Sequence, residues 1–93
     1  MSTDFSSIQN HYERPVFEAV LEQHQHYLMG EDLLPDVACV ALNRLPPRYI
    51  RHAVDLAFYM SEKERAENER AVDEAVRGAF QFVQARVAMR ARS

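Results

Sequence analysis

The chain has one cysteine, no tryptophan, two glycines and no long apolar run. Each scarcity removes a class of protein. The lone Cys39 rules out an intramolecular disulfide and any cysteine-rich zinc site, which fits a reducing compartment; its apolar neighbours predict a buried, inert thiol. Two glycines cannot supply a glycine-rich phosphate loop, and no serine or cysteine stands beside a recognisable base, so the chain does not read as an enzyme. No stretch approaches the roughly 20 apolar residues that cross a bilayer. The N-terminus also lacks the basic start and apolar run of an export signal, so a cytoplasmic protein with no membrane association is expected. His24 and His26 would lie about 200° apart on a helix, and no histidine and carboxylate set has ligand spacing, so no metal or other cofactor is expected.

What is present is a chain of 93 residues, 47% hydrophobic, with 14 acidic and 11 basic side chains and a net charge of −3. A chain this short closes one core, placed at residues 8–93 behind a flexible N-terminus at 1–7. Such a domain, without disulfide or metal, gains its remaining stability by self-association, which favours a homo-oligomer. Net acidity disfavours direct nucleic-acid binding through bulk charge while leaving room for a local basic site.

The pattern predicts a mainly α fold: a small three-helix domain with one β-strand that pairs across a homodimer. From Ile8 onward Val16, Phe17, Val20, Leu21, His24, Tyr27 and Leu28 fall near one helical face, with Asn10 and Glu13 as a capping pair and Pro15 set to kink any helix begun upstream. Gly30 suits a left-handed C-terminal cap. A second helix starts at Pro35 or Asp36; its VACVAL run is apolar on every side, which predicts burial all round, and Pro46-Pro47 stop it near Arg44 or Leu45.

Between Tyr49 and Met60, Val54, Leu56, Phe58 and Met60 alternate as in a strand, whereas Ala53, Leu56, Ala57 and Met60 fit a helix. Ser61-Glu62-Lys63-Glu64 is a capping box that starts a helix at 61, which favours a strand before it. No second strand stands out, so antiparallel pairing with another copy about a two-fold axis is the expected partner. The third helix runs from Ser61 to about Arg90, with Gly78 as a possible bend and Val72, Ala75, Val76, Ala79, Phe80, Val83 and Val87 as its apolar stripe. Its charged start at 62–70 reads as a solvated face, and Arg86, Arg90 and Arg92 complement the helix dipole. Phe17, Tyr27, Phe58, Tyr59, Phe80 and Phe82 are assigned to the core by spacing.

One segment stands apart. Between Val37 and Val54 there is no acid, yet Arg44, Arg48 and Arg51 occur there. Two prolines stiffen the backbone between Arg44 and Arg48, which presents the guanidiniums with little entropy left to lose on binding. Such forks make bidentate bonds to phosphate and to the O6/N7 edge of guanine, and Tyr49 adds an aromatic face. Two readings stand at this point. Either the R-x-x-x-R spacing holds an anion, as the arginine pair of some cyclic di-GMP receptors does, or Arg44 caps the second helix while Arg48 and Arg51 pair with acids across a dimer.

"NHYERPVFEAVLEQ", "DVACVALNRLPPRYI" and "AVDEAVRGAFQFV" together resemble the late competence development protein ComFB family, over roughly Ile8 to Val83. The matching positions are Asn10, Glu13, Asp36, Asn43, Arg44, Pro46, Pro47, Arg48 and Tyr49. The resemblance implies a small, helical, dimeric protein from a family whose members include cyclic dinucleotide binders. It tilts the arginines toward a cyclic dinucleotide ligand, with Arg44, Arg48 and Arg51 on phosphate or base and Tyr49 stacking, and the O6/N7 pairing of arginine puts guanine before adenine. Asn43 would meet a base edge, Asp36 belongs to the matching core, and Asn10 and Arg14 would complete the pocket. Binding would alter a homodimer and its affinity for a downstream protein; the alternative is a dimeric interaction adaptor with no small ligand. Some members carry several cysteines between the first two helices, suited to zinc; here that stretch is "MGEDLLPD", with none.

Overall fold

The computed structural model describes residues 3–92. In chain order it contains β1 (Gln9–Asn10), α1 (Glu13–Gln23), two short 3₁₀ turns (His24–His26 and Glu31–Leu33), α2 (Leu34–Arg44), β2 (Tyr49–Ile50), α3 (Ala53–Tyr59) and α4 (Glu62–Arg92). The fold is mainly helical, with α4 packed against both α1 and α2 and α1 against α2.

The strand reading of 49–60 is corrected by these elements. Only Tyr49–Ile50 forms a strand, and it pairs antiparallel within the chain, Asn10 opposite Tyr49 and Gln9 opposite Ile50. The helical pattern governs the rest: Leu56 is buried under α3. Met60 is extended and separates α3 from α4, so the Ser61 box does mark a start, only after another helix. Ser61 Oγ accepts the Glu64 N–H at 3.1 Å, one of the two bonds of that box.

Chain entry into α1 comes later than the apolar pattern from Ile8 suggests. Pro15 therefore falls in the first turn, where its missing N–H would have had no helical partner, and no kink results. The buried face of α1 is Val16, Ala19 and Val20, leaving Phe17 and Leu21 outside. Gly30 is not a left-handed cap: its backbone is extended and it precedes the second 3₁₀ turn. The turn after α1 is instead held by His24 Nε2, 2.6 Å from the Met29 carbonyl; a carbonyl only accepts, so the ring carries its proton on Nε2.

α2 is buried on one face rather than all round. Leu34, Val37, Ala38 and Ala41 are inside, while Cys39 is exposed, contrary to the expected inert thiol. Small residues explain this, because alanines at 38 and 41 let α2 lie close on its neighbours and turn the next position outward. The core is completed by Tyr12, Leu45 and the α4 stripe Val72, Ala75, Val76, Ala79, Phe80 and Val83. Phe80 is fully buried and stacks on Tyr27 at 4.3 Å between ring centres. Phe58 and Tyr59, assigned to the core by spacing, are 85% and 82% exposed.

Helix α4 is continuous through Gly78, so no bend occurs there. Its 31 residues span about 46 Å, and the radius of gyration of 15.6 Å exceeds the roughly 12 Å of a compact chain this long. Both ends of α4 overhang the core.

Candidate functional site

Two local devices fix the arginine segment. Leu45, buried, anchors the start of the loop as α2 stops. At the other end Asn10 acts as a clasp: its Oδ1 accepts the Tyr12 N–H at 3.2 Å and the Arg48 N–H at 3.0 Å. Glu13 Oε2 accepts the Asn10 N–H at 2.8 Å, and the His11 N–H donates to the Arg48 carbonyl at 2.6 Å. The start of α1 is thus stitched to the loop carrying Arg48 and Tyr49, and the anticipated Asn10–Glu13 pairing is part of the stitch. Burial first, and then the Arg48 charge, lower the pKa of His11 below its usual 6.5.

Arg44 does not turn back on the carbonyls of α2. Its guanidinium crosses to α4, passing so close to Gly78 that a side chain there would collide with Nη1. It ends over the Phe82 ring, 5.7 Å from the centroid, while the Arg86 guanidinium lies 5.8 Å from the same centroid. Gly78 is needed for close approach, not for bending. Among the described residues no acid pairs Arg44, Arg48, Arg51 or Arg86. Two like charges gathered on one aromatic ring with no ion-pair partner, Asp36 only sharing a recess with Arg86, make a site that favours an anion.

The other candidates are spread around this centre. Tyr49 is 69% exposed beside the clasp, and Arg51 follows β2 and is exposed. Asn43 Nδ2 donates to the Cys39 carbonyl at 3.0 Å. Asp36 lies two turns before Arg44 and lines a shallow recess of about 260 Å³ with Cys39, Val83, Arg86 and Arg90. Arg14 is exposed and pairs with Glu18 at 3.4 Å on its own helix. The structure therefore gathers Asn10, Arg48 and Tyr49 at the clasp and sets Arg44 on α4, with Asp36 on the recess that Arg86 also lines and Arg14 paired on its own helix.

Phe82, Gly78 and Arg86 were missed as site residues in the sequence, since they lie 34 to 42 positions beyond Arg44 and only packing joins them to it. The usable signal is an aromatic one helical turn from both a glycine and an arginine; Phe82, assigned to the core by spacing, is 43% exposed. A larger concavity than the Asp36 recess lies elsewhere, an open groove of about 620 Å³ between α1, α3 and α4. It holds Glu18, Glu22, Glu69 and Asp73 against Arg65, so it repels a phosphate ligand.

The family model for the late competence development protein ComFB matches residues 9–87. The chain belongs to the ComFB family. That span includes the clasp, the arginine loop and the Gly78–Phe82–Arg86 strip of α4. No curated protein and no solved structure matches the chain. Among the described residues no group of three His, Cys, Asp or Glu is placed to hold a metal ion, and no helix is long and apolar enough to cross a membrane.

Proposed function

We propose that this ComFB protein is a cytoplasmic receptor for a cyclic dinucleotide, cyclic di-GMP before cyclic di-AMP, that signals through a homodimer to a downstream protein. The observation that carries the reading is the convergence of the Arg44 and Arg86 guanidiniums on Phe82, neither of them in an ion pair among the described residues. A cyclic dinucleotide supplies what such a site lacks: two phosphates for the forks and a flat base for the exposed ring of Tyr49. Guanine is preferred because its O6/N7 edge accepts both N–H groups of an arginine. A micromolar affinity needs about −8 kcal/mol. Several charged hydrogen bonds at about 1.5–3 kcal/mol each, with stacking, reach it after the cost of association.

Transmission follows from the clasp. A ligand drawn onto Arg48 pulls on a backbone tied directly to Asn10 and His11, and through them to the start of α1. Ligand binding then favours one arrangement of the homodimer by as much as it binds that arrangement better.

The test is calorimetric titration of the protein with cyclic di-GMP and with cyclic di-AMP, beside Arg44→Ala and Arg48→Ala. Micromolar or tighter binding is expected in the parent, with at least tenfold loss in each variant and an unchanged far-UV spectrum. Absence of binding to either nucleotide, or full affinity in both variants, overturns the proposal and leaves these arginines facing a protein.

A further inference from the structure

We infer that the acidic groove between α1, α3 and α4 receives the C-terminal turns of α4 from a second copy of this chain, each copy giving its helix end and taking its partner's. The inference rests on the homodimer of the proposed function and names its contact surface.

The groove is amphipathic in a specific way. Its apolar lining mixes small side chains, Ala19 of α1 with Ala53 and Ala57 of α3, with Tyr12, Met60 and Val72, and four carboxylates face Arg65 around it. His11 at one end stays neutral near pH 7 because burial and Arg48 hold its pKa down, so it does not offset them. A shallow apolar floor between acids selects a helix with a protruding apolar side chain and basic flanks.

The chain itself carries such a segment. After Val83 no residue of α4 is buried, and Ala85, Ala88, Met89 and Arg92 recur at i, i+3, i+4 and i+7, one face of the helix. Met89 is 71% exposed on it. From Arg77 to Arg92 the helix holds four arginines and no acid, whereas the groove wall formed by its first half is rich in acids. A flexible thioether adapts to an apolar lining of mixed size, and Arg92 suits the carboxylates around it. α3 fits the same account. It buries Leu56 alone against its own chain and stands as a loosely held wall of the groove.

Reciprocity about a two-fold axis makes the contact twice, which brings a small groove toward the roughly 1,200–2,000 Å² that stable interfaces bury. Because His11 both lines the groove and holds the Arg48 carbonyl, this interface also lies next to the proposed ligand loop.

The experiment measures molar mass by light scattering for the full chain, for Met89→Asp, for Ala57→Asp and for an equimolar mixture of the two variants. Expected are twice the 10.8 kDa chain mass for the parent and the chain mass for each variant alone. The mixture should regain dimers, because one intact helix end then meets one intact groove. Weakening of the parent dimer at about 1 M salt, where screening acts within roughly 3 Å, is also expected. A monomeric parent overturns both the homodimer and this inference. Dimeric variants, a mixture that stays monomeric, or a mass that climbs without limit overturns the inference and leaves the homodimer to another surface or symmetry.

Discussion

Gly78→Ala sets two effects of similar size against each other at one position. Gly78 lies inside a continuous helix with no positive φ, so alanine relieves the cost of a helical glycine, about 0.8–1.0 kcal/mol. The new Cβ would collide with Arg44 Nη1, the far end of a flexible side chain, so the guanidinium swings aside rather than the helices parting. What is lost is its place 5.7 Å from the Phe82 centroid, a contact worth about 0.5–1 kcal/mol at an exposed site. The two terms nearly cancel, and urea unfolding should place the variant within about 0.5 kcal/mol of the parent.

Ligand affinity has no such compensation. If the displaced Arg44 forfeits even one charged hydrogen bond, about 1.5–3 kcal/mol, cyclic di-GMP binds roughly 10 to 150 times more weakly. Calorimetry and urea unfolding on the same preparation separate the two outcomes. A stability loss beyond about 2 kcal/mol would mean that the helices themselves are forced apart and that the Arg44 side chain does not yield. Parental stability with parental affinity would mean that the position of Arg44 over Phe82 does not matter to the ligand.

Asn10→Ala removes the acceptor for both the Tyr12 and Arg48 N–H groups and should cost about 1–2 kcal/mol in urea unfolding, while Asn10→Asp, which keeps an acceptor, should lose much less. Equal losses in the two variants would refute the clasp. Phe80→Ala empties the fully buried site stacked on Tyr27 and should cost about 3–5 kcal/mol, a large share of the stability of a small domain, with a melting temperature that drops accordingly. A melting temperature close to the parent's would place the core elsewhere. His11 has its pKa lowered from 6.5 in the fold, so as pH falls below 6.5 the unfolded chain takes up the proton first. Its contribution is complete above pH 6.5 and is lost below it, down to the lowered folded pKa. His11→Gln should therefore flatten the acid side of the stability profile, and an identical slope in parent and variant would contradict the burial of this ring.

Local chemistry made several features legible before any packing was known. Two prolines end α2, Ser61 and Glu64 open α4, and Glu13 at the start of α1 holds the Asn10 N–H just before it, because each acts on backbone groups within a few residues. The stretch from Tyr49 to Met60 was ambiguous for the opposite reason. Its apolar residues satisfy periods of 2 and of 3.6 together, and the choice depended on a neighbour: Gln9–Asn10 offers a strand partner for only two residues, and the remainder forms α3. Cys39 was misplaced because apolar neighbours along the chain do not say which side of a helix meets its partners.

By itself, then, the sequence determined a mainly helical chain with fixed stops and starts, and an acid-free segment in which Arg44, Arg48 and Arg51 have no nearby counter-charge. Only the tertiary structure decided what those arginines face. Arg44 meets Gly78, Phe82 and Arg86 because α2 packs across α4, and Arg48 is held because Asn10 and His11 reach it from the start of α1. Those contacts join residues 34 or more positions apart, and no periodicity or local hydrogen bond encodes a meeting at that separation.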